Sequence, residues 1–112
     1  MPKRGEIWTV DLVGVGHEQQ GSRPVLIISD DALNDSGLDL VVAIPITTNL
    51  VKYTSRVPIP KGEGGLSEDS SAMCEQILRL DIRLRLKARL GKVTLGTLEK
   101  ICQKLIVILG ID

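Results

Sequence analysis

The sequence is poor in aromatic residues: of its 112 residues none is phenylalanine, one is tryptophan (Trp8) and one is tyrosine (Tyr53). The core must therefore be aliphatic, and binding of single-stranded nucleic acid by a row of stacking rings is disfavoured. Neither charge is in excess, because 14 basic residues balance 14 acidic ones, so no overall field attracts a polyanion. No apolar run approaches the roughly 20 residues of a membrane span. We expect one soluble domain over residues 1–112.

The sequence also lacks the usual sets of metal-binding and nucleophilic residues. A single histidine and two distant cysteines do not match the spacing of a zinc site. A phosphate-binding glycine loop and a nucleophile elbow are absent too. We therefore predict no metal and no cofactor. Cys74 and Cys102 lie in apolar stretches of a chain without a signal peptide, which favours reduced thiols in the cytoplasm, with one disulfide as the alternative.

The first three quarters of the chain are rich in β-branched residues and turn signals. Strands are expected at residues 6–12, 25–28, 40–44, 56–60, 72–80 and 91–93. The two prolines in residues 56–60 place that strand at a sheet edge, because proline lacks the N–H that a neighbouring strand would need. Residues 83–88 alternate in polarity but consist of good helix formers, so strand and short helix both stay open.

The last segment predicts a helix, since apolar residues from Leu95 to Leu109 recur on one helical face. Thr94 is the expected N-cap of this helix, and Gly110 is the residue expected to end it. Val107 and Ile108 lie off this face and indicate contact with a second subunit. Several short strands followed by one helix predict a mostly β fold, a small antiparallel barrel with the helix packed on it.

Polar residues interrupt or flank several of the predicted strands, namely Arg23 and residues 17–20, 47–48 and 75–76. A carboxylate inside an apolar run is costly to bury unless it is hydrogen-bonded. Glu75 therefore either belongs to a functional site or pairs with Arg23 or a backbone amide for structural reasons. The acidic pairs at residues 30–31 and 68–69 lie among turn-forming residues, where we expect them to cap helices or lie in solvated loops.

Three parts of the chain together resemble the PemK/MazF toxins, most closely their Kid-like branch. They are residues 4–8 and 16–29 (RGEIW and GHEQQGSRPVLIIS), residues 44–48 (IPITT), and residues 69–70, 74–77 and 80–81. The resemblance covers nearly the whole chain. It implies the SH3-like barrel of the plasmid-maintenance toxin fold, which PemK and CcdB share.

The resemblance also implies an activity and partners. The protein would be the homodimeric toxin of a type II toxin-antitoxin system and cut single-stranded mRNA at a short sequence without a metal. The 2′-hydroxyl of the RNA would be the nucleophile, leaving a 2′,3′-cyclic phosphate and a 5′-hydroxyl. A cognate antitoxin with a flexible acidic segment would inhibit it.

Four residues are carried over as catalytic candidates: Arg23, Thr47, His17 and Glu75. Arg23 offers planar donors to the phosphate oxygens and Thr47 offers a hydroxyl, whereas the other two could carry protons. Tyr53 is expected to stack on one base. The expected RNA contacts are Glu18, Gln19, Gln20, Thr48, Asn49, Lys52, Tyr53, Arg56, Gln76 and Arg79.

The chain departs from the family pattern at three positions, which keeps two alternatives open. Met73 and Glu75 stand where the Kid-like branch has arginine and aspartate, and Leu78 stands where many relatives have arginine. Arg79 cannot simply substitute, because neighbouring strand residues point to opposite faces. One alternative is a catalytically weakened homologue that only binds antitoxin or RNA. The other is a gyrase-inhibiting toxin of the CcdB type without catalysis.

Overall fold

The computed structural model describes residues 1–11 and 22–111. Within these ranges the chain forms seven strands and three α-helices. The strands are β1 (Glu6–Asp11), β2 (Ser22–Ile27), β3 (Leu40–Thr47), β4 (Arg56–Ile59), β5 (Ser70–Met73), β6 (Leu78–Asp81) and β7 (Leu86–Lys92). The helices are α1 (Asp31–Asn34), α2 (Ile82–Arg85) and α3 (Leu95–Leu109), and a 3-10 turn spans Glu63–Gly65.

The strands form an antiparallel sheet in the order β4-β5-β3-β2-β1-β7, and β6 also pairs with β3. β3 organises this sheet because β2 pairs with one of its edges while β6 and then β5 pair with the other. Residues 40–43 of β3 pair with β6, and residues 46–47 pair with β5. The sheet therefore bends along β3 into a barrel-like shape that is open between β4 and β7. The predicted small antiparallel barrel with a C-terminal helix is confirmed.

The core is aliphatic, as the composition predicts, and it lies on both faces of β2. Leu26 belongs to one buried cluster, whereas Val25 and Ile27 belong to a second. Because successive strand residues point to opposite faces, these two clusters account for the continuous apolar run of β2. The first cluster also contains Ile101, through which α3 packs on the sheet.

The ends of the helices agree with the sequence-based predictions. The Thr94 side chain accepts a hydrogen bond from the Thr97 amide at 3.2 Å, and Gly110 adopts a left-handed conformation with φ 68° after α3. Asp30 caps α1 by accepting a hydrogen bond from the Ala32 amide at 2.9 Å. β4 lies at a sheet edge, as its prolines predict. None of the helices in the described part is long and apolar enough to cross a membrane.

The single strand predicted at residues 72–80 is wrong. A turn at residues 74–77 divides it into β5 and β6, and the Gln76 amide donates to the Met73 carbonyl at 3.0 Å in this turn. Both strands pair with β3, but in succession, with Ala72 opposite Ile46 and Leu78 opposite Ala43. The chain must therefore step from one part of the bent sheet to the next, which the local apolar pattern does not reveal.

The ambiguous segment at residues 83–88 contains both of the structures considered for it. Asp81 caps α2 by accepting a hydrogen bond from the Leu84 amide at 3.0 Å, and the helix ends at Arg85. β7 begins at Leu86 and continues to Lys92, so the short strand predicted at residues 91–93 is the end of a longer one. Pairing with β1 decides this boundary, because residues 86–92 lie along the edge of β1.

Candidate active site

A cleft of about 540 Å³ opens where the ends of β2 and β3 meet the loop before β5 and the turn after it. Its polar lining residues are Arg23, Thr47, Thr48, Ser67, Glu68, Ser70 and Gln76. Its apolar walls come from Pro24, Pro45, Ile46, Leu66, Met73 and Leu90. The cleft thus combines a cation, hydroxyls, an amide and a carboxylate on an apolar surface.

Pairing of β2 with β3 brings Arg23 and Thr47 to the same end of the two strands. The antiparallel ladder runs from Ile27–Ala43 to Val25–Pro45, and Arg23 and Thr47 lie just beyond its last pair. Both residues line the cleft. Two catalytic candidates that are far apart in sequence are therefore brought together by one strand pair.

Thr47 is oriented by the loop that follows it. Its hydroxyl oxygen accepts a hydrogen bond from the Asn49 amide at 3.1 Å, and the residue is partly buried. The hydroxyl hydrogen can then be donated to a group in the cleft, because a hydroxyl both donates and accepts. Thr47 is suited to bind an anionic oxygen beside the Arg23 guanidinium.

Glu75 is held outside the cleft lining by a different partner from the one the sequence suggested. Arg56, not Arg23, pairs with it, through Nη2 to Oε2 at 2.7 Å and Nε to Oε2 at 2.9 Å. The Ser55 hydroxyl donates to Oε1 at 2.7 Å. The hydrogen bonds from Arg56 lower the pKa of Glu75 to about 2, and Ser55 contributes in the same direction. A carboxylate with so low a pKa is a weak proton acceptor at neutral pH.

Arg56 also contacts the ring of Tyr53, with Cζ 4.9 Å from the ring centroid. Tyr53 is 58% exposed, so one ring face meets the guanidinium while much of the side chain is accessible to solvent. Glu75 is therefore paired with Arg56, and Arg56 in turn packs on the Tyr53 ring. We call these three residues the Glu75 clamp. It joins the turn after β5 to the loop between β3 and β4.

The predicted RNA contacts are distributed unevenly around the cleft. Thr48 and Gln76 line it. Asn49 and Lys52 are exposed in the loop between β3 and β4, and Arg79 is exposed on β6 opposite Val42, outside the cleft lining. His17, Glu18, Gln19 and Gln20 lie outside the described residues.

Three polar residues of the cleft, Ser67, Glu68 and Ser70, were not among the predicted site residues. The acidic pair at residues 68–69 was expected only to cap a helix or lie in a solvated loop. Asp69 does have a local structural role, since it accepts a hydrogen bond from the Lys61 amide at 2.8 Å. Glu68 instead lines the cleft. An acidic pair carries no signal that distinguishes these two roles before the loop is placed.

The described residues include two cysteines, Cys74 and Cys102, which are not bonded to each other. Cys74 and Cys102 are free thiols, and burial raises the pKa of Cys74 to about 11, which makes its thiolate scarce at neutral pH. Across residues 1–11 and 22–111, no group of three or more histidine, cysteine, aspartate or glutamate side chains could hold a metal ion.

Comparison with known proteins identifies the family. The family model of the PemK-like, MazF-like toxin of type II toxin-antitoxin systems matches residues 3–109. Endoribonuclease MazF9 of Mycobacterium tuberculosis is 32% identical over 111 residues, which cover 94% of this chain and 93% of the relative.

Solved structures of similar proteins agree with this match. An endoribonuclease in complex with its cognate antitoxin, from a mycobacterial species, has a TM-score of 0.83 and 28% identity, covering 100% of this chain and 98% of that one. MazF of Deinococcus radiodurans also has a TM-score of 0.83 and 28% identity, with coverage of 98% and 97%. A MazE-MazF structure from the same organism has a TM-score of 0.81 and 26% identity, with coverage of 99% and 97%. The chain belongs to the PemK-like, MazF-like toxins of type II toxin-antitoxin systems.

Proposed function

We propose that this chain, an endoribonuclease toxin of its family, cuts single-stranded mRNA in the cleft between β2, β3 and β5. The observation that carries this proposal is that Arg23 and Thr47, at the same end of the paired strands β2 and β3, line one cleft. The guanidinium binds two oxygens of the scissile phosphate, and the Thr47 hydroxyl donates to the same group. The protein acts in the cytoplasm, where its mRNA substrate is found.

The reaction uses the RNA's own 2′-hydroxyl as the nucleophile. Its oxygen attacks the adjacent phosphorus, the bond to the 5′ oxygen breaks, and the products are a 2′,3′-cyclic phosphate and a 5′-hydroxyl. Arg23 and Thr47 stabilise the negative charge that develops on the phosphate oxygens, which is the largest contribution such a site can make without a metal. His17 remains a candidate for proton transfer.

Glu75 acts in this proposal as a positioning residue. Its pair with Arg56 holds the loop between β3 and β4 beside the turn that carries Gln76. The same pair holds the guanidinium against one face of Tyr53. A base of the RNA then stacks on the exposed side of the ring, an interaction worth about 1–3 kcal/mol.

The partners follow from the family and from two surfaces. The relatives solved with an antitoxin or with MazE support an antitoxin for this chain as well, and a flexible acidic segment would compete with RNA for the Arg23 side of the cleft. The end of α3 exposes Val107 (77%) and Leu109 (55%). This apolar surface supports the predicted homodimer, because isolated monomers seldom expose such a patch.

A catalytically weakened homologue is the second candidate, and one observation favours it. Met73 lines the cleft at the position where the Kid-like branch has arginine. A thioether cannot donate a proton or neutralise a phosphate. In that case the protein would bind RNA or antitoxin and leave RNA intact.

Incubation of the purified protein with a long, weakly structured RNA in EDTA tests the proposal. We expect discrete cuts at one repeated short sequence, mapped by primer extension, with 5′-hydroxyl ends that polynucleotide kinase can label directly. EDTA should leave the rate unchanged. Cleavage that stops in EDTA and returns with Mg²⁺ would refute the metal-independent mechanism. Intact RNA under all conditions would favour the binding-only homologue, and inhibition of gyrase would then be assayed.

A further inference from the structure

A proton acceptor for the 2′-hydroxyl is the function not yet assigned to any residue of the described cleft lining. Attack by a hydroxyl is slow unless a side chain removes its proton, and such general bases contribute about 10²–10⁴-fold. Glu75 has both carboxylate oxygens engaged by Arg56 and Ser55. Among the described residues that line the cleft, the ionisable side chains are Arg23 and Glu68. Glu68 is therefore the carboxylate that the described cleft offers to a substrate.

The backbone around Glu68 is anchored on both sides. The Leu66 side chain is only 7% exposed, and the Leu66 carbonyl accepts a hydrogen bond from the Gly62 amide at 2.9 Å. On the other side, the Ser70 hydroxyl donates to the Glu68 carbonyl at 2.9 Å. Gly65 allows the loop to approach β7, because a side chain there would collide with the backbone carbonyl of Leu90. The Glu68 residue thus starts from a fixed backbone position.

The carboxylate itself is available to a ligand. Glu68 is exposed, and its side chain forms no hydrogen bond or ion pair with another residue in the described ranges. Asp69, the next residue, is already bound to the Lys61 amide at 2.8 Å. A carboxylate in an anion-binding cleft repels the phosphate. Its presence there is therefore explained only by a second role. Its presence on the same cleft as Arg23 is consistent with one group that binds the phosphate and another that accepts a proton.

We propose that Glu68 is the general base that removes the proton of the attacking 2′-hydroxyl, an inference that rests on the proposed ribonuclease function. The proton passes to a carboxylate oxygen as the 2′ oxygen bonds to phosphorus and the bond to the 5′ oxygen breaks. The leaving oxygen takes a proton from water, and the resulting hydroxide takes the proton from Glu68. No proton is gained or lost over the reaction, and the carboxylate is regenerated.

Glu68→Gln tests this role because it keeps the shape of the side chain and removes its basicity. Single-turnover cleavage of an RNA that contains the mapped site should slow by about 10²–10⁴-fold. Binding is measured separately with the same RNA carrying a 2′-deoxy nucleotide at the cut position, which cannot react. Its Kd should not exceed the wild-type value, since the variant removes a negative charge from an anion-binding cleft.

Two further variants define the result. Glu68→Asp keeps a carboxylate that is shorter by one methylene, so we expect a rate between those of the wild type and Glu68→Gln. Glu99→Gln removes an exposed carboxylate from α3, outside the cleft lining, and should cut like the wild type. Circular dichroism spectra of all variants should coincide, because the Glu68 side chain has no partner in the described fold.

Two outcomes would overturn the proposal while the ribonuclease function stands. In the first, Glu68→Gln retains the wild-type rate, and another group is then the base. In the second, the cut positions move to a new sequence or the Kd for the deoxy RNA rises with the loss of rate, which would make Glu68 a reader of base amino groups. Failure of the proposed function is distinct, since the wild-type protein itself would then leave RNA intact.

Discussion

Two glutamates flank β5 in the chain, Glu68 before it and Glu75 after it, and their surroundings differ. Glu75, in the turn after the strand, has both oxygens bound by Arg56 and Ser55. Glu68, in the loop before the strand, lines the cleft with no side-chain partner among the described residues. The Glu75 carboxylate joins two segments of the chain, whereas the Glu68 carboxylate is accessible to a substrate in the cleft. The comparison shows that a carboxylate near a cleft acquires its role from what its oxygens already contact.

After Glu68→Gln, the largest loss of cleavage is expected from a variant of Arg23, the other ionisable residue of the described cleft lining. Arg23→Ala removes the cation that stabilises the phosphate, so we expect cleavage to slow by about 10²–10³-fold or more. Arg23 is exposed, and the circular dichroism spectrum should therefore be unchanged.

The matched control is Arg83→Ala, which removes a guanidinium that is 86% exposed on α2 and forms an ion pair with Asp39 at 3.4 Å. We expect it to cut at the wild-type rate. Equal activity in the Arg23 and Arg83 variants would separate Arg23 from the reaction, and an unfolded Arg23→Ala protein would give it a structural role.

A smaller effect on cleavage is expected from a substitution of Glu75. Glu75→Gln weakens the Glu75 clamp, so the loop that carries Tyr53 is less well held and KM for RNA should rise by a fewfold while kcat changes little. The free energy of unfolding should fall by about 1 kcal/mol, because the ion pair is bidentate but partly exposed to solvent. Steady-state cleavage and urea denaturation at pH 7 measure the two effects. A 100-fold loss of kcat at constant KM would instead make Glu75 catalytic.

The smallest effect concerns the pH dependence of that stability difference. The pKa of Glu75 is lowered by Arg56 from 4.5 to about 2 in the folded protein. A lowered pKa contributes stability above the unfolded-state value, and this contribution is lost as pH falls through the folded-state value. The difference in urea midpoint between the wild type and Glu75→Gln should therefore be constant above pH 5 and shrink between about pH 4.5 and pH 2.

Glu6 also contributes to the pH dependence of the free energy of unfolding. Its pKa is also lowered, because hydrogen bonds from Arg89, Trp8 and the Lys3 amide outweigh its desolvation. Both proteins carry this contribution, so only the difference between them reports on Glu75. A difference that persists unchanged down to pH 2 would contradict the role of the carboxylate charge in the clamp.

Local pattern was sufficient for the parts of the fold that depend on neighbouring residues. The cap at Thr94 and the edge position of the proline-bearing β4 were predictable. The predicted core face of α3 is correct only in its middle, around the buried Ile101, since Leu95 is 78% and Leu109 55% exposed. The division of residues 72–80 into β5 and β6 was not, since two successive stretches of β3 impose it. The boundary between α2 and β7 likewise depends on pairing with β1.

The candidate site divides in the same way. Arg23 and Thr47 were identified from sequence resemblance, and the pairing of β2 with β3 brings both to one cleft. The partner of Glu75 could not be assigned, because Arg23 and Arg56 offer the same guanidinium and only the pairing of β4 with β5 brings Arg56 opposite Met73. The cleft position of Glu68 could not be predicted, because an acidic pair in a turn has the same local pattern whether it faces solvent or a cleft.

The sequence by itself determined the aliphatic core, the order of most elements, the C-terminal helix and the family to which the chain belongs. These features depend on side-chain periodicity and on short motifs, which are local along the chain. Only the tertiary structure decided which carboxylate is paired with arginine and which lines the cleft. Contacts between residues distant in sequence are set by strand register and loop placement, and a one-dimensional pattern does not contain either.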